Sequence, residues 1–343
     1  MHQLFFELLQ LSLGTRDHLS RMLNAQEWRL LLKETETQGV TGILADGLER
    51  LVAEQRPPRD ILLQWIGFTQ ITESMYALHC KRASKLSKEF AEAGYETCVL
   101  KGLSSAIRYP NPSRRHCGDI DIWVILNNGQ SREDLTQWLK DKCEISGIVW
   151  HHIVTKYFDD VAVEVHIHPI WLYNPLNNFR LQRWFYDMSK SSYKSEVRLD
   201  FTCTSAEFDV VYQLVHCFHH LLEEGISLRQ VLDYYYVLSQ LKDRNAVSTI
   251  KKLGLNRFAG AMMWVLQEVC GMKSEQLICS PNEKEGKFLL NEMFGADSLH
   301  CSKNDKRNNI KRWLKLLRHY PSEVLWMTPW KVWHNCWRKM QGC

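Results

Sequence analysis

The sequence predicts an α+β fold, in which a mixed β-sheet core has helical regions on its N-terminal and C-terminal sides. From Val161 to His168 every odd-numbered residue is apolar, which is the period of a half-buried strand. Long segments on either side instead repeat apolar residues at helical spacing, as residues 41–52 do. We therefore expect a helical region over residues 1–94, the sheet core over 95–200 and a second helical region over 201–343.

The N-terminal region should consist of helices separated by one clear break. Apolar spacing predicts helices over residues 27–33 and 41–52, and the segment from Gln55 to Arg59, with its two adjacent prolines, interrupts the pattern. Asp60 is expected to cap a long helix that ends at Gly94, because a short acidic side chain satisfies free amides and glycine tolerates the terminal turn.

The core should contain strands on both sides of a short helix. Residues 97–100 predict one strand, and residues 131–142 predict a helix capped by Ser131. Residues 148–158 predict a further strand, which turns at Asp159-Asp160 into the alternating strand to form a hairpin.

The C-terminal region is expected to be helical from residue 204 onward, with Ser205 opening a first helix and Glu224-Gly225 separating it from the next. Close to the end, a helix capped by Thr328, with Pro329 in its first turn, would place four tryptophans on one face: Trp326, Trp330, Trp333 and Trp337. Packing of this stripe on the protein body is favoured over an RNA-stacking or membrane-surface role.

Composition favours an intracellular protein. The chain of 343 residues has a net charge of +4, which does not by itself indicate nucleic-acid binding, although residues 301–343 hold ten basic and two acidic residues. The 11 cysteines form no CxxC pair, which favours a reduced compartment. No apolar run approaches the length of a membrane span, so a cytoplasmic location is expected.

The residues that carry chemistry begin with two aspartates on one strand. Asp119 and Asp121 point to the same face while Ile120 and Ile122 point to the core. Adjacent carboxylates repel unless a cation lies between them, and hard divalent cations prefer oxygen ligands. The alternating strand adds a third carboxylate, Glu164, which the hairpin would bring beside the pair. The competing interpretation is a solvated strand edge.

At these residues the chain resembles the nucleotidyltransferase superfamily that includes DNA polymerase beta and kanamycin nucleotidyltransferase, and more closely a bacterial branch, the uncharacterised nucleotidyltransferase family. The motifs that carry the resemblance are Leu100-Lys101-Gly102, Tyr109-Pro110-Asn111-Pro112, Arg115, Gly118-Asp119-Ile120-Asp121 and Val163-Glu164-Val165-His166, followed by His216, His220, Gly225, Leu228-Arg229 and Asp233. The chain departs from the superfamily pattern where Leu103, rather than glycine or serine, follows the glycine.

The resemblance implies a nucleotidyltransferase-type mixed sheet and a metal-dependent reaction. Asp119, Asp121 and Glu164 would be the catalytic and metal-ligating residues, holding two Mg²⁺ or Mn²⁺ ions. The substrate would be a nucleoside triphosphate (NTP) such as ATP. An acceptor hydroxyl would attack its α-phosphate, and pyrophosphate would leave.

Five further residues are expected to bind the nucleotide. The resemblance places Arg115 on the triphosphate. Lys101 would neutralise phosphate charge, and Gly102 would let backbone amides approach it. Ser104 would supply a hydroxyl, and Arg229 would reach the nucleotide or acceptor across the cleft.

Histidines and an ion pair complete the predicted surroundings. His166 is expected to orient a metal-ligating carboxylate or the acceptor. For Glu164 the alternative is an exposed strand residue. His216 and His220 share a helix face without the glutamate of a zinc-protease motif, so packing or hydrogen bonding is favoured over metal binding. A structural ion pair between Arg229 and Asp233 is the simpler interpretation of their spacing.

The predicted function is thus transfer of a nucleoside monophosphate from an NTP to an acceptor hydroxyl. One alternative is an enzyme of the same fold that acts on RNA or on a protein side chain. Its only support is the basic segment of residues 301–343. Another is a non-catalytic nucleotide-binding module, which the presence of all three carboxylates disfavours. The sequence leaves the acceptor, the nucleobase and the oligomeric state open.

Overall fold

The computed structural model describes residues 2–127, 129–191, 193–195, 199–295 and 306–340. The helices in these ranges are α1 (His2–Leu13), α2 (Ala25–Thr37), α3 (Thr41–Arg50), α4 (Arg59–Glu92), α5 (Lys101–Ala106), α6 (Arg132–Lys142), α7 (Pro175–Ser189), α8 (Ala206–Glu223), α9 (Leu228–Gln240), α10 (Val247–Lys252), α11 (Asn256–Glu268), α12 (Glu283–Phe294), α13 (Lys306–His319) and α14 (Pro321–Met340). The strands are β1 (Glu96–Leu100), β2 (Ile120–Ile125), β3 (Glu144–Ile148), β4 (His152–Lys156) and β5 (Val163–His166). Among the described helices, none combines the length and the apolar character that a membrane crossing requires.

The five strands form one mixed sheet in the order β1-β2-β5-β4-β3. β2 and β5 are parallel, and the other neighbouring pairs are antiparallel. The register places Asp121 directly opposite Glu164, so their side chains leave the same face of the sheet. The mixed sheet between helices confirms the predicted fold class.

Each face of the sheet has its own apolar layer. On one face, Ile122 and Val165 belong to a buried cluster with Phe90 of α4 and Leu139 of α6. On the other face, Trp123 packs in a near-parallel stack against Phe208 of α8, with ring centroids 5.6 Å apart. Asp121 lies on this second face, two residues before Trp123, so the predicted site lies between the sheet and the C-terminal helices.

Most of the predicted helices are confirmed, and the start of the longest differs. α2, α3, α8 and α9 occupy their predicted segments, and α6 begins with a capping box in which Ser131 accepts from the backbone amide of Asp134. α4 begins at Arg59 after Pro58, so the prediction that Asp60 caps it is wrong. Asp60 instead lies in the first turn, and Gly94 follows the helix with φ +84°.

The predicted strand over residues 148–158 is wrong, because the chain turns inside it. β3 ends at Ile148, the amide of Val149 donates to the carbonyl of His152 over 3.0 Å, and β4 then begins. The β4–β5 hairpin itself is present and antiparallel. The range 95–200 also contains the helix α7, so the predicted core is not only sheet.

The N-terminal and C-terminal helices share one hydrophobic core. Trp28 and Trp65 are buried in the same cluster as Phe258 of α11. The Gln38 carboxamide joins the two regions further, because it accepts from the amide of Leu228 over 2.8 Å. The division of the chain at residues 94 and 200 stays a prediction.

The tryptophan stripe lies on α14, which begins at Pro321, so the expected start at Thr328 and Pro329 is wrong. Trp330 stacks on Trp171 with ring centroids 5.0 Å apart. Trp326 remains 43% exposed and Trp333 46% exposed. The stripe therefore docks on the body through only part of its length.

Candidate active site

The site begins at a tight turn between β1 and α5. Lys101 has φ +35° and Gly102 has φ +26° with ψ −100°, a region of backbone space that glycine tolerates and lysine adopts at a cost. The turn brings the Lys101 ammonium to 2.7 Å from Asp121 Oδ1. Lys101 therefore meets a carboxylate of the neighbouring strand rather than solvent.

Three carboxylates lie close together beside this turn. Asp121 is buried, and its Oδ1 also lies 2.9 Å from His166 Nε2. The same imidazole nitrogen lies 3.5 Å from Glu164 Oε2. Asp119 immediately precedes β2 and lines the cavity above Asp121. The predicted adjacency of the aspartates and Glu164 is confirmed.

The charges of these groups are strongly coupled. Burial alone would raise the pKa of the Asp121 carboxyl, but Lys101 and His166 hold it below its ordinary value. The negative charge of Asp121, together with burial, raises the pKa of Asp119. Burial alone would lower the pKa of Lys101, yet the surrounding carboxylates raise it. The site therefore carries more negative charge than its one lysine can balance.

The donor set fits a hard divalent cation. Asp121, Glu164 and His166 each offer one ligand atom, and these atoms lie within 4.8 Å of one another. Asp121 Oδ2 is buried and has no hydrogen-bond partner among the described residues. Carboxylate oxygens suit Mg²⁺ or Mn²⁺. Asp119 adds a further carboxylate to this set from the cavity wall.

The carboxylates open into a cavity of about 230 Å³. The sheet forms one side and α8 another. Its lining includes Lys101, Asp119, Glu164, Trp171 and Glu224, together with six histidines, which are His151, His152, His166, His216, His219 and His220. Such a cavity can hold part of a polar substrate beside the metal-ligating groups.

Sequence reasoning missed three of these histidines: His151, His152 and His219. The register pairs His152 with His166 across the hairpin, and this pairing would follow from the sequence if the turn after Ile148 were known. Of the two predicted α8 histidines, His220 Nε2 lies 3.0 Å from His216 Nε2. This hydrogen bond agrees with the role expected for that pair.

Two predicted nucleotide-binding residues are engaged elsewhere. The guanidinium of Arg115 donates to both carboxylate oxygens of Asp233 over 3.1 and 2.5 Å, and to the carbonyl of His116 over 2.7 Å. Ser104 is fully buried, and its hydroxyl lies 2.6 Å from that of Thr204. Neither residue lines the cavity. The expected contacts of Arg115 and Ser104 with phosphate stay a prediction, and in this structure their donors bind protein groups instead.

Arg229 is the remaining predicted cation. Its expected partner Asp233 binds Arg115 instead, and a terminal nitrogen of Arg229 donates to the carbonyl of His116 over 3.4 Å. Its Nε is buried without a hydrogen-bond partner in the described ranges. Burial and the neighbouring Arg115 lower the pKa of Arg229. The guanidinium thus has a donor without a hydrogen-bond partner, and it interacts electrostatically with Asp119.

Comparison with known protein families agrees with the resemblance noted in the sequence. The sequence profile of a family described as uncharacterised nucleotidyltransferase matches residues 24–271. The crystal structure of an antigenic nucleotidyltransferase-like protein from Paracoccidioides brasiliensis aligns with 59% of this chain and 93% of its own, at 12% sequence identity and a TM-score of 0.39. No curated protein matches the chain significantly.

Proposed function

The chain belongs to the uncharacterised nucleotidyltransferase family, and from this membership we propose that it transfers a nucleoside monophosphate from an NTP to an acceptor hydroxyl. The observation that carries the proposal is the group of three carboxylates on adjacent strands, with Lys101 ion-paired to the most buried of them. Pyrophosphate is the second product.

Asp119, Asp121 and Glu164 would hold Mg²⁺ or Mn²⁺, with two ions in the full site. When bound, these ions would neutralise the triphosphate and stabilise the attacking and leaving oxygens. The partnerless Oδ2 of Asp121 and the raised pKa of Asp119 support this assignment, since a cation would relieve both.

Side chains of the protein would accept the proton of the acceptor and balance the charge of the site. Glu164, which lines the cavity, would take the proton of the acceptor hydroxyl as its oxygen bonds to the α-phosphorus. The bond from that phosphorus to the bridging oxygen would break, and pyrophosphate would carry away the electron pair. Lys101 and His166 would keep Asp121 ionised, and Arg229 would donate its unused Nε–H to phosphate oxygen.

The test is incubation of the purified protein with each labelled NTP, Mg²⁺ and a cell extract. Products are then separated into small molecules, RNA and protein, and pyrophosphate is measured. We expect label in one fraction with matching pyrophosphate, and we expect both signals to disappear with a chelator and return with Mg²⁺. This separation also decides between a small acceptor and a macromolecular one.

Two variants make the test specific to the site. Asp119→Asn should reduce turnover by roughly a hundredfold or more, because it removes a metal-ligating charge. Glu224→Gln changes an exposed carboxylate of the same cavity and should leave turnover within about twofold of wild type. Wild-type turnover in Asp119→Asn, or no transfer from any NTP, would contradict the proposal.

A further inference from the structure

The cavity wall beside the carboxylates carries three imidazoles in contact. His151 and His152 stand where the chain enters β4, and His166 lies opposite His152 on β5. His152 Nδ1 is 2.5 Å from His151 Nε2. The ring centroid of His166 is 5.0 Å from that of His152 and 5.5 Å from that of His151.

Two of these imidazoles carry a buried nitrogen without a partner. His151 is 8% exposed and His166 is 2% exposed. The Nδ1 atoms of both are buried and make no hydrogen bond to any described residue. An unpaired buried polar atom costs about 1–3 kcal/mol. Two such atoms in one polar cluster therefore indicate a missing ligand.

We propose that His151, His152 and His166 form a second metal site, which binds a divalent transition-metal ion such as Zn²⁺. One nitrogen from each ring lies within 4.8 Å of the other two. In a tetrahedral zinc site the ligand nitrogens are about 3.4 Å apart. Metal binding would therefore require the rings to reorient, and it would replace the hydrogen bond between His151 and His152.

The chemistry of the two donor sets separates this site from the carboxylate site. Imidazole nitrogens suit Zn²⁺ and its neighbours in the transition series, whereas carboxylate oxygens suit Mg²⁺. His166 belongs to both groups of side chains, and its Nε2 lies 2.9 Å from Asp121 Oδ1. Glu164 Oε2 lies 3.7 Å from His152 Nε2, so the two sites adjoin at His166 and Glu164. All three imidazoles line the cavity, so a water or a substrate oxygen from the cavity would complete the coordination.

The experiment measures Zn²⁺ retained by the full-length protein in excess Mg²⁺, without nucleotide, so its result is independent of transfer activity. The protein is prepared without a histidine tag and with Cys279→Ser and Cys336→Ser, because both thiols are exposed and thiolates are zinc ligands. We expect one Zn²⁺ per chain. His151→Gln and His152→Gln should each weaken binding by roughly tenfold or more. His216→Gln, in the same cavity but outside the cluster, should leave binding unchanged.

A second measurement needs no histidine variant. X-ray absorption of the zinc-loaded protein should show three imidazole ligands and no sulfur. Coordination by oxygen alone or by sulfur would overturn the proposal. The proposal also fails if the starting protein retains no Zn²⁺, or if the folded His151→Gln/His152→Gln protein keeps full affinity.

Discussion

Lys101 is the residue that balances the charge of the buried Asp121. Asp121 is 1% exposed, and a carboxylate this buried stays ionised only beside a cation or strong donors. The ammonium of Lys101, 2.7 Å away, supplies that cation from a left-handed backbone position. The strained backbone of the turn between β1 and α5 thus lies at the residue whose ammonium pairs with Asp121.

Replacing Lys101 by methionine keeps the length of the side chain and removes its charge. Asp121 would then retain only His166 as a partner, and breaking a buried pair costs about 3–5 kcal/mol. We expect a loss near the lower end of that range in urea unfolding, together with lost transfer activity. Lys156→Met, which breaks the exposed pair with Glu144, is the matched control and should change little. Equal stability of the two variants would show that Lys101 does not hold Asp121.

At the scale of elements, the sequence predicts a strand well where its pattern is complete. The alternation around Glu164 identifies β5, and the two aspartates identify β2, which together define the carboxylate group. The turn between β3 and β4 was not predictable, because Val149, Trp150 and His151 include none of the residues that signal a tight turn. The histidine cluster was missed for that reason.

The spacing of motifs also could not reveal which side chains pair when they are far apart in the sequence. Arg115 matches a family motif in sequence, yet its carboxylate partner lies 118 residues later, on α9. Ser104 likewise meets Thr204 across 100 residues. Local pattern identifies candidate polar residues, whereas tertiary packing decides whether their donors face a ligand or the protein.

Glu285 joins three C-terminal helices, and its charge makes this junction sensitive to pH. This buried carboxylate of α12 pairs with Arg257 of α11 and lies 2.7 Å from His319 of α13. Burial alone would raise the pKa of Glu285, but His319 and Arg257 lower it below its ordinary value of 4.5. The ionised Glu285 carboxylate therefore stabilises the folded protein above about pH 4.5. This stabilisation is lost as the pH falls through the lower pKa that Glu285 has in the folded state.

We expect Glu285→Gln to lower the free energy of unfolding by about 2 kcal/mol near neutral pH, since charged hydrogen bonds contribute about 1.5–3 kcal/mol. The difference from wild type should shrink in acid, as wild-type Glu285 becomes protonated. Urea unfolding over a pH series measures both effects. Glu283→Gln, on the exposed side of the same helix, should show both effects only weakly, because Lys287 lowers the pKa of Glu283 but their ion pair is exposed. A difference that stays constant into acid would exclude the charge of Glu285 as its cause.

On the scale of the whole molecule, distant parts of the chain enclose the cavity. The sheet supplies the carboxylates, α8 supplies three histidines, and Trp171 connects the cavity wall to α14 through its stack with Trp330. Glu323 strengthens this connection, because its buried carboxylate accepts from the amide of Tyr173 over 2.7 Å. The C-terminal helix is therefore part of the body that shapes the site.

Two tryptophans of α14 test whether this helix supports the fold or binds RNA. Trp330→Ala removes the ring stacked on Trp171 and should lower the free energy of unfolding by about 2–3 kcal/mol. Trp326→Ala removes a ring that is 43% exposed, and should cost much less. If α14 instead binds RNA, the Trp326→Ala protein stays folded and loses an affinity that weakens with salt. We expect Trp330→Ala to lose more stability than Trp326→Ala, and we expect neither variant to lose RNA binding. Thermal unfolding measures the stability, and RNA retention over a salt series measures the binding. Equal stability of the two variants, with RNA retention lost in Trp326→Ala, would favour a macromolecular acceptor over a small one.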